Sequence, residues 1–315
     1  MTAALRNIRL RDVVGAPLFL LVVLLLIGVA IEPAITGERA IRNILTTATP
    51  LILAGIAQSL VILVGGIDLS IGAIISVANV VAAALMTAYP DMTVAIVFGV
   101  LALGAGIGLV NGVLCAFSGA SPFIITLAMG IALQGVALQI MYQPGGTVAS
   151  GFRQIARANW GALPVTTVIV VALALLLAVA IRRTSWGVSL IAIGGNEASA
   201  RLSGISVKRQ TVLLYVISGF LAACAGLFLA SRISSGDPLV GEPVTLDSIT
   251  VAVLGGSSFL GGTISVVGTT VAAIVLAMIN TVLNLKDVSP FYQWMLKGAI
   301  LILALSLDLL RRRKG

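Results

Sequence analysis

Long apolar runs follow one another through the whole chain, and they constrain its fold more than any other feature. An apolar run of about twenty residues crosses the hydrocarbon core of a bilayer as a helix, because lipid offers the backbone no hydrogen-bond partner. Of the 315 residues, 59% are hydrophobic and 10% are charged, whereas a soluble protein carries roughly a quarter charged residues. No polar block is long enough to fold independently. We therefore predict an all-α polytopic membrane protein that forms a single domain, residues 1–315.

The apolar runs are separated by turn residues, which predict about ten transmembrane helices. Typical breaks are Gly65-Gly66, Ser121-Pro122 and Ser289-Pro290. The first run is longer than the core of a signal peptide, so it is interpreted as a retained span. The predicted spans are 13–31, 43–64, 70–88, 92–114, 122–142, 163–181, 209–230, 246–261, 264–285 and 291–309. Glycines within 43–88 and 246–285 leave open whether these two regions contain broken or re-entrant helices.

Lysine and arginine accumulate on cytoplasmic loops, so their distribution predicts the orientation. A cytoplasmic N-terminus places twelve of the nineteen basic residues in the cytoplasm. The basic residues near both ends of the chain predict that both termini are cytoplasmic, which fits an even number of spans. The net charge of +8 then reflects asymmetry across a membrane rather than affinity for nucleic acid. Lys297 falls within the last span and is interpreted as reaching toward the membrane surface.

The residues that usually carry catalysis and metal binding are scarce. The chain has no histidine and two cysteines, Cys115 and Cys224, which removes the commonest general base and the commonest transition-metal ligand. The two cysteines are far apart and show no metal-binding spacing. No Gly-x-x-x-x-Gly-Lys-Ser/Thr phosphate loop occurs. We expect no catalytic site, no metal and no cofactor, and any ATP hydrolysis must belong to another chain.

Two glycine-rich segments resemble each other. Aligned, residues 61–74 and 251–264 keep Gly65, Gly66 and Gly72 in register with Gly255, Gly256 and Gly262. Transporters are often built from internal repeats with interrupted helices near the pathway. A second possibility is that any two glycine-rich membrane turns align this well. A denser cluster, Gly104 to Gly112, is typical of close helix packing in lipid, with a moving gate as the alternative.

Polar residues inside the spans are few, and they are candidates for a translocation pathway. Because polar groups are costly in lipid, they normally face protein or a water-filled cavity. Neutral amides suit a neutral, hydroxyl-rich solute, while hydrogen bonding between helices is the alternative for each. Asp68 lies just before an apolar helix and could instead cap it. The predicted pathway residues are Asp68, Ser70, Asn79, Asn111, Gln134 and Asn280.

The polar segment between residues 182 and 209 contains a short predicted helix. Asn196 is a natural N-cap, and Glu197 and Arg201 are spaced to pair on one face of a helix. Gly204 is placed to end that helix. Physical chemistry alone allows an ordinary amphipathic connector as well as a projecting element.

Three stretches resemble the ribose-type permeases of bacterial ABC importers. They are Gly65-Gly66-Ile67-Asp68-Leu69-Ser70-Ile71-Gly72, residues 194–205, and the segment from Val253 through Thr263. The stretches keep the family's order, and the resemblance covers nearly the whole chain. It implies a monosaccharide permease subunit of the bacterial inner membrane that works with a separate ATPase and a periplasmic sugar-binding protein. It further implies a coupling helix that fits the ATPase, carried by Gly194, Gly195, Asn196, Glu197, Ala200, Arg201 and Gly204.

The pathway is expected to lie between two copies, in a homodimer or a heterodimer with a paralogue, surrounded by membrane lipid. Two other transporter types remain open. A permease for another small solute, such as branched-chain amino acids, shares glycine-rich motifs. An ion-coupled secondary transporter would need a coupling-ion site, and no pair of carboxylates in mid-membrane is visible in the sequence. A membrane-embedded enzyme is disfavoured by the lack of histidine and of clustered acids.

Overall fold

A computed structural model describes residues 33–312 and, before them, residues 22, 23, 25, 26, 28 and 29. The predicted span 13–31 therefore lies mostly outside the described residues. The side chains of residue 290 and of residues 303–312 are not described either. Twelve α-helices occur in this part of the chain: α1 (Glu38–Leu63), α2 (Ile71–Ala88), α3 (Thr93–Phe117), α4 (Pro122–Ile140), α5 (Ser150–Arg157), α6 (Val165–Arg183), α7 (Ser185–Gly195), α8 (Glu197–Leu202), α9 (Val207–Ile233), α10 (Glu242–Leu254), α11 (Val266–Leu285) and α12 (Pro290–Arg312).

Short irregular elements join the helices at one end of the bundle. Two 3₁₀ turns, Pro33–Thr36 and Pro90–Met92, precede α1 and α3. A two-stranded antiparallel hairpin, β1 (Asn159–Trp160) and β2 (Leu163–Pro164), lies between α5 and α6. The all-α prediction for this membrane protein is confirmed.

Among the described residues, seven helices are long and apolar enough to cross a bilayer: α1, α2, α3 with its leading 3₁₀ turn, α4, α6, α9 and α11. They correspond to seven predicted spans, with ends that differ by a few residues. The helix α12 covers the range of the last predicted span. The total of about ten spans and the cytoplasmic placement of both termini stay predictions.

The predicted span 246–261 is wrong as a complete crossing. The helix there, α10, ends at Leu254 and comprises 13 residues, which rise about 20 Å, whereas the hydrocarbon core is about 30 Å thick. The chain then turns through glycines and reaches α11 at Val266. This region is therefore a half-helix followed by a turn, one of the two outcomes that its glycines had left open.

The helices divide into a buried centre and a lipid-facing periphery. Most of α1, α2, α9 and α11 is buried within the subunit, whereas most of α3, α4 and α6 is not. Exposed apolar side chains such as Phe98, Ile131 and Leu176 lie on the peripheral helices. In a membrane these faces contact acyl chains at no cost, so the exposed apolar surface fits the lipid environment.

The most extensive contact between two helices joins α3 and α9, and small residues make it possible. A Cβ at Gly104 or Gly108 would overlap backbone of α9, at the carbonyl oxygens of Gly219 and Tyr215 respectively. Gly112 lies one further turn along the same face. Gly106 faces open space on the other side of α3. The glycine cluster therefore packs helices closely, as GxxxG-type spacing does in lipid.

We predict that Gly108→Ala destabilises the subunit, because the added methyl group has no room against the Tyr215 carbonyl. Overpacking of this kind costs about 1–3 kcal/mol. The matched control is Gly106→Ala, which adds the same methyl group to the same helix in open space and should be neutral or slightly stabilising. Thermal unfolding of the detergent-solubilised subunit measures both. Equal melting temperatures for the two variants would contradict the close α3–α9 contact.

Candidate functional site

The short helix α8 has capping interactions at both ends. Asn196 Oδ1 accepts a hydrogen bond from the backbone N–H of Ser199 at 2.8 Å. At the other end Gly204 adopts a φ of 80°, and the N–H groups of Gly204 and Ile205 donate to the carbonyls of Arg201 and Ala200. These two bonds form a Schellman motif, which needs a left-handed residue and so favours glycine. The predicted N-cap and stop signals are confirmed.

One face of α8 is anchored and the other is exposed. Ala200 is buried with Ile193 and Val207 in a small apolar cluster. On the exposed side Arg201 Nη2 lies 2.6 Å from Glu197 Oε1, as its spacing predicted. Leu202 is 90% exposed, and the sequence analysis did not identify it. The helix thus presents a charged pair and an apolar side chain to its surroundings.

The two glycines before Asn196 belong to α7 and not to α8. The predicted coupling segment, 194–204, is therefore not one helix, because Asn196 leaves the helical conformation between the two. Gly195 faces open space. A Cβ at Gly194 would overlap the Leu63 carbonyl oxygen and the Gly262 N–H. Gly194 is thus packed against the two glycine-rich turns, three residues before α8 begins.

These two turns have the same backbone structure at their starts. Gly65 N–H and Gly66 N–H donate to the carbonyls of Ile62 and Val61, and Gly256 N–H and Ser257 N–H donate likewise to those of Val253 and Ala252. Each helix thus ends in a Schellman motif, with a left-handed glycine at 65 (φ 81°) and 256 (φ 96°). The geometry supports the repeat but corrects its register by one residue, since Gly65 is equivalent to Gly256 and not to Gly255.

The two turns also contact each other directly. Gly262 N–H donates to the Leu63 carbonyl at 2.9 Å, so the second turn satisfies a carbonyl that α1 leaves unpaired at its end. Nearby, Ser59 Oγ lies 3.1 Å from Ser257 Oγ and 3.0 Å from Thr269 Oγ1. We call this meeting point of residues 63–66, 194 and 261–262 the glycine junction.

Asp68 is fully buried and lies at the centre of a hydrogen-bond network. Its Oδ1 accepts from the backbone N–H of Ser70 at 3.0 Å and from the Ser70 hydroxyl at 2.6 Å. Its Oδ2 accepts from the Ser218 hydroxyl of α9 at 3.0 Å. Asn111 of α3 donates to Ser70 Oγ at 2.8 Å. The N-cap of α2 is Ser70, and Asp68 accepts no hydrogen bond from the first turn of that helix, so it does not cap α2 as an N-cap residue. The network instead joins the start of α2 to α3 and α9.

A second group of polar side chains holds the backbone around these breaks. With its amide oriented to satisfy both groups, Gln58 donates to the Asp68 carbonyl at 2.9 Å and accepts from the Asp68 N–H at 3.3 Å. Asn79 Oδ1 accepts from the Asp237 N–H at 2.7 Å, and Gln134 donates to the Pro238 carbonyl at 2.8 Å. Both amides therefore position the loop between α9 and α10.

The structure brings the six predicted pathway residues together only in part. Asp68, Ser70 and Asn111 form one network, Asn79 and Gln134 meet at one loop, and Asn280 is partly buried on α11, apart from both. The first five make hydrogen bonds within the subunit, which is the alternative that the sequence had left open for them. Their contact with a solute stays a prediction.

A buried ion pair was missed by the sequence analysis. Lys297 Nζ of α12 lies 2.7 Å from Asp247 Oδ2 of α10, and both side chains are largely buried. The interpretation that Lys297 extends to the membrane surface is wrong. An unpaired charge would be costly at this depth, so the pair fixes α12 against the half-helix α10. The two residues are fifty positions apart, and no local pattern indicates their contact.

Comparison with known proteins places this arrangement among membrane permeases. A family model described as "Branched-chain amino acid transport system / permease component" matches residues 40–305. The ribose import permease protein RbsC of Bacillus subtilis (strain 168) is 36% identical over 296 residues, which cover 92% of this chain and 90% of that protein. The D-allose transport system permease protein AlsC of Escherichia coli (strain K12) is 33% identical over 271 residues, 85% of this chain and 82% of that protein.

A third similar protein has a different sugar in its name. The galactose/methyl galactoside import permease protein MglC of Escherichia coli (strain K12) is 32% identical over 317 residues, which cover 94% of each chain. No solved structure matches this chain. The three similar proteins are all named as sugar permeases, and each is matched over most of its length.

We predict that Asp68→Ala destabilises the subunit by several kcal/mol, because it leaves the hydroxyls of Ser70 and Ser218 buried without their acceptor. Each such group costs about 1–3 kcal/mol. Asp68→Asn keeps one carbonyl oxygen for the Ser70 donors and should retain most of the stability. The control is Asp91→Ala, at an exposed carboxylate in the Pro90–Met92 turn. Melting temperatures that are equal for Asp68→Ala and Asp91→Ala would contradict a stabilising role of the network.

Proposed function

The chain belongs to the family of permease components of ATP-binding-cassette importers, and we propose that the solute it carries is a monosaccharide. Such a component is a multi-pass protein of the bacterial inner membrane and is not itself an enzyme. Permease components work with a separate ATPase and with a periplasmic binding protein. The particular sugar, the residues that meet it and the way the subunit is driven are parts of the proposal.

The observation that carries the choice of solute is the set of similar proteins. The three named above are permeases for ribose, allose and galactose, and each matches this chain over more than four fifths of its length. The name of the family model refers to branched-chain amino acids, but the names of these three proteins refer to sugars. Apart from the Asp68 carboxylate and the Asp247–Lys297 pair, the polar side chains described above between the helices are amides and hydroxyls, which suit a neutral polyhydroxyl solute. A sugar is therefore favoured over an amino acid.

We infer that α8 is the element that docks on the ATPase. Capping holds this helix at both ends, and the buried Ala200 anchors it against the rest of the subunit. The helix should therefore keep its orientation when the ATPase moves against it. Its exposed side carries the Glu197–Arg201 pair and Leu202, an arrangement that a partner surface can bury with both apolar and polar contacts. Gly194 lies three residues before the first residue of α8 and is packed into the glycine junction. A displacement of α8 would then reach the end of α1 and the turn after α10 directly.

We further propose that two copies of the subunit enclose the pathway. Asp68, Ser70, Asn79 and Asn111 are fully buried, so in the described conformation they are not open to a solute path within one subunit. The half-helix α10 and the turn after it expose Leu246 and Leu260. Half-helices of this kind border substrate paths in other transporters.

The test of the solute and of the energy source uses cells in which the gene for this chain is deleted and then restored. Restoration should bring back uptake of a labelled monosaccharide, with ribose, allose and galactose each measured, and leave leucine uptake unchanged. Uptake should persist when a protonophore collapses the ion gradients while ATP is maintained, and it should stop when ATP is depleted. Restored leucine uptake, or sugar uptake that follows the ion gradient, would overturn the proposal.

The coupling role predicts a specific effect of Arg201→Glu. In an exposed helix the change costs only a few tenths of a kcal/mol, through the repulsion of Glu197. In a docked interface the unpaired charge costs several kcal/mol. We therefore expect normal membrane levels but weak co-purification with the ATPase and lost stimulation of ATP hydrolysis.

The matched control for that experiment is Arg182→Glu. It reverses an exposed arginine at the end of α6, on the same predicted side of the membrane and outside α8. Parental co-purification for both variants would show that α8 is a solvated connector.

A further inference from the structure

A groove of about 790 Å³ opens where α3 ends and α9 begins. Apolar side chains, including Val113, Phe117 and Leu213, form one part of its lining, and Arg201, Lys208 and Arg209 form another. We call it the basic groove. It shares no residue with the glycine junction or the Asp68 network, and of its lining residues only Arg201 belongs to the proposed docking helix α8.

The apolar wall of the basic groove belongs to the membrane spans. Val113, Phe117 and Leu213 are 42%, 61% and 42% exposed, and they lie on α3 and α9, both long and apolar enough to cross a bilayer. At that position the natural contact of an exposed apolar side chain is an acyl chain. We therefore expect this wall to face lipid rather than a water-soluble partner.

The basic rim lies at the first turn of α9, a helix long and apolar enough to cross a bilayer. Lys208 Nζ is 4.5 Å from the centroid of the Phe117 ring, which holds the ammonium group directly beside the apolar wall. Within the described part of the chain, no carboxylate pairs with Lys208 or Arg209. Arg201 is paired with Glu197, so the uncompensated positive charge of the rim comes from the other two residues.

The backbone at the start of α9 adds to this positive potential. Ser206 is the N-cap and makes no side-chain capping bond. The first N–H groups of a 27-residue helix, two of which belong to Lys208 and Arg209, therefore lie at the positive end of the helix dipole beside the two cations. A phosphate group fits this position, because it is an anion with several acceptor oxygens.

We propose that the basic groove binds an anionic phospholipid, with its phosphate at Lys208 and Arg209 and an acyl chain along Val113, Phe117 and Leu213. Basic residues at the membrane surface above an apolar wall provide for both parts of such a lipid. Inorganic phosphate would fit the rim but leave the wall exposed. A zwitterionic lipid would fit the wall but gain little from the rim.

The test measures binding of dioleoyl phosphatidylglycerol to the delipidated full chain by native mass spectrometry. The double variant Lys208→Gln/Arg209→Gln should bind it roughly 30-fold more weakly. This factor corresponds to a loss of about 2 kcal/mol of binding free energy from the two basic residues together. The matched control Arg182→Gln/Arg183→Gln removes two exposed charges at the end of α6 and should bind as the parent does. Val113→Trp fills the apolar wall with the rim intact and should also weaken binding.

Thermal unfolding of each variant in detergent shows whether its fold is retained. As a control for the headgroup charge, dioleoyl phosphatidylcholine should bind the parent weakly. Three results would overturn the proposal. The first is equal phosphatidylglycerol binding by the parent and the Lys208/Arg209 variant. The second is equal binding of the two lipids by the parent. The third is full displacement by inorganic phosphate together with parental binding by Val113→Trp, which would indicate a phosphate site.

Discussion

Within lipid the backbone of a membrane protein cannot hydrogen-bond to water. Where a helix ends there, the protein itself must therefore supply partners for the free backbone N–H and C=O groups. Two helices of this chain end at glycine-rich turns that contact each other, one after Leu63 and one after Leu254. Each helix first closes on itself through a Schellman motif, and the second turn then donates the Gly262 N–H to the Leu63 carbonyl. The two breaks therefore depend on each other. Each turn would be less stable in lipid without the other, because the Leu63 carbonyl and the Gly262 N–H would lose their hydrogen bond.

Glycine makes this mutual arrangement possible in two distinct ways. At Gly65 and Gly256 the backbone is left-handed, a conformation that costs other residues energy. At Gly194 the requirement is space, because a side chain would occupy the position of the Leu63 carbonyl oxygen. The same requirement for space brings α3 against α9. At these positions glycine thus serves a left-handed turn or a close backbone contact.

Local signals in the sequence predicted much of the structure. Seven spans follow from apolar length, and the Asn196 cap, the Glu197–Arg201 pair and the Gly204 stop follow from spacing within a few residues. The half-helix α10 did not follow, because an apolar stretch looks the same whether its helix continues or ends at a tertiary partner. The Asp247–Lys297 pair and the Ser218 bond to Asp68 join residues that are far apart in the chain. The one-residue error in the repeat arose because Gly65-Gly66 and Gly255-Gly256 are identical pairs.

The glycine junction gives the proposed permease a physical route from the ATPase to its interior. The α8 helix begins three residues after Gly194, and Gly194 contacts the end of α1 and the turn that follows α10. On this account the contact at Gly194 carries the movement, so its loss should separate ATP hydrolysis from transport. The adjacent Gly195 lies in the last turn of α7, like Gly194, but has open space around it. Substituting alanine at Gly195 therefore controls for the effect of losing a glycine on the backbone and on helix propensity.

The most direct measurement is the number of sugar molecules transported per ATP hydrolysed, in vesicles that contain the complete importer. We expect Gly195→Ala to keep the parental ratio and Gly194→Ala to lower it severely, at membrane levels that permit comparison. Equal, parental ratios for both variants would contradict a coupling route through the glycine junction.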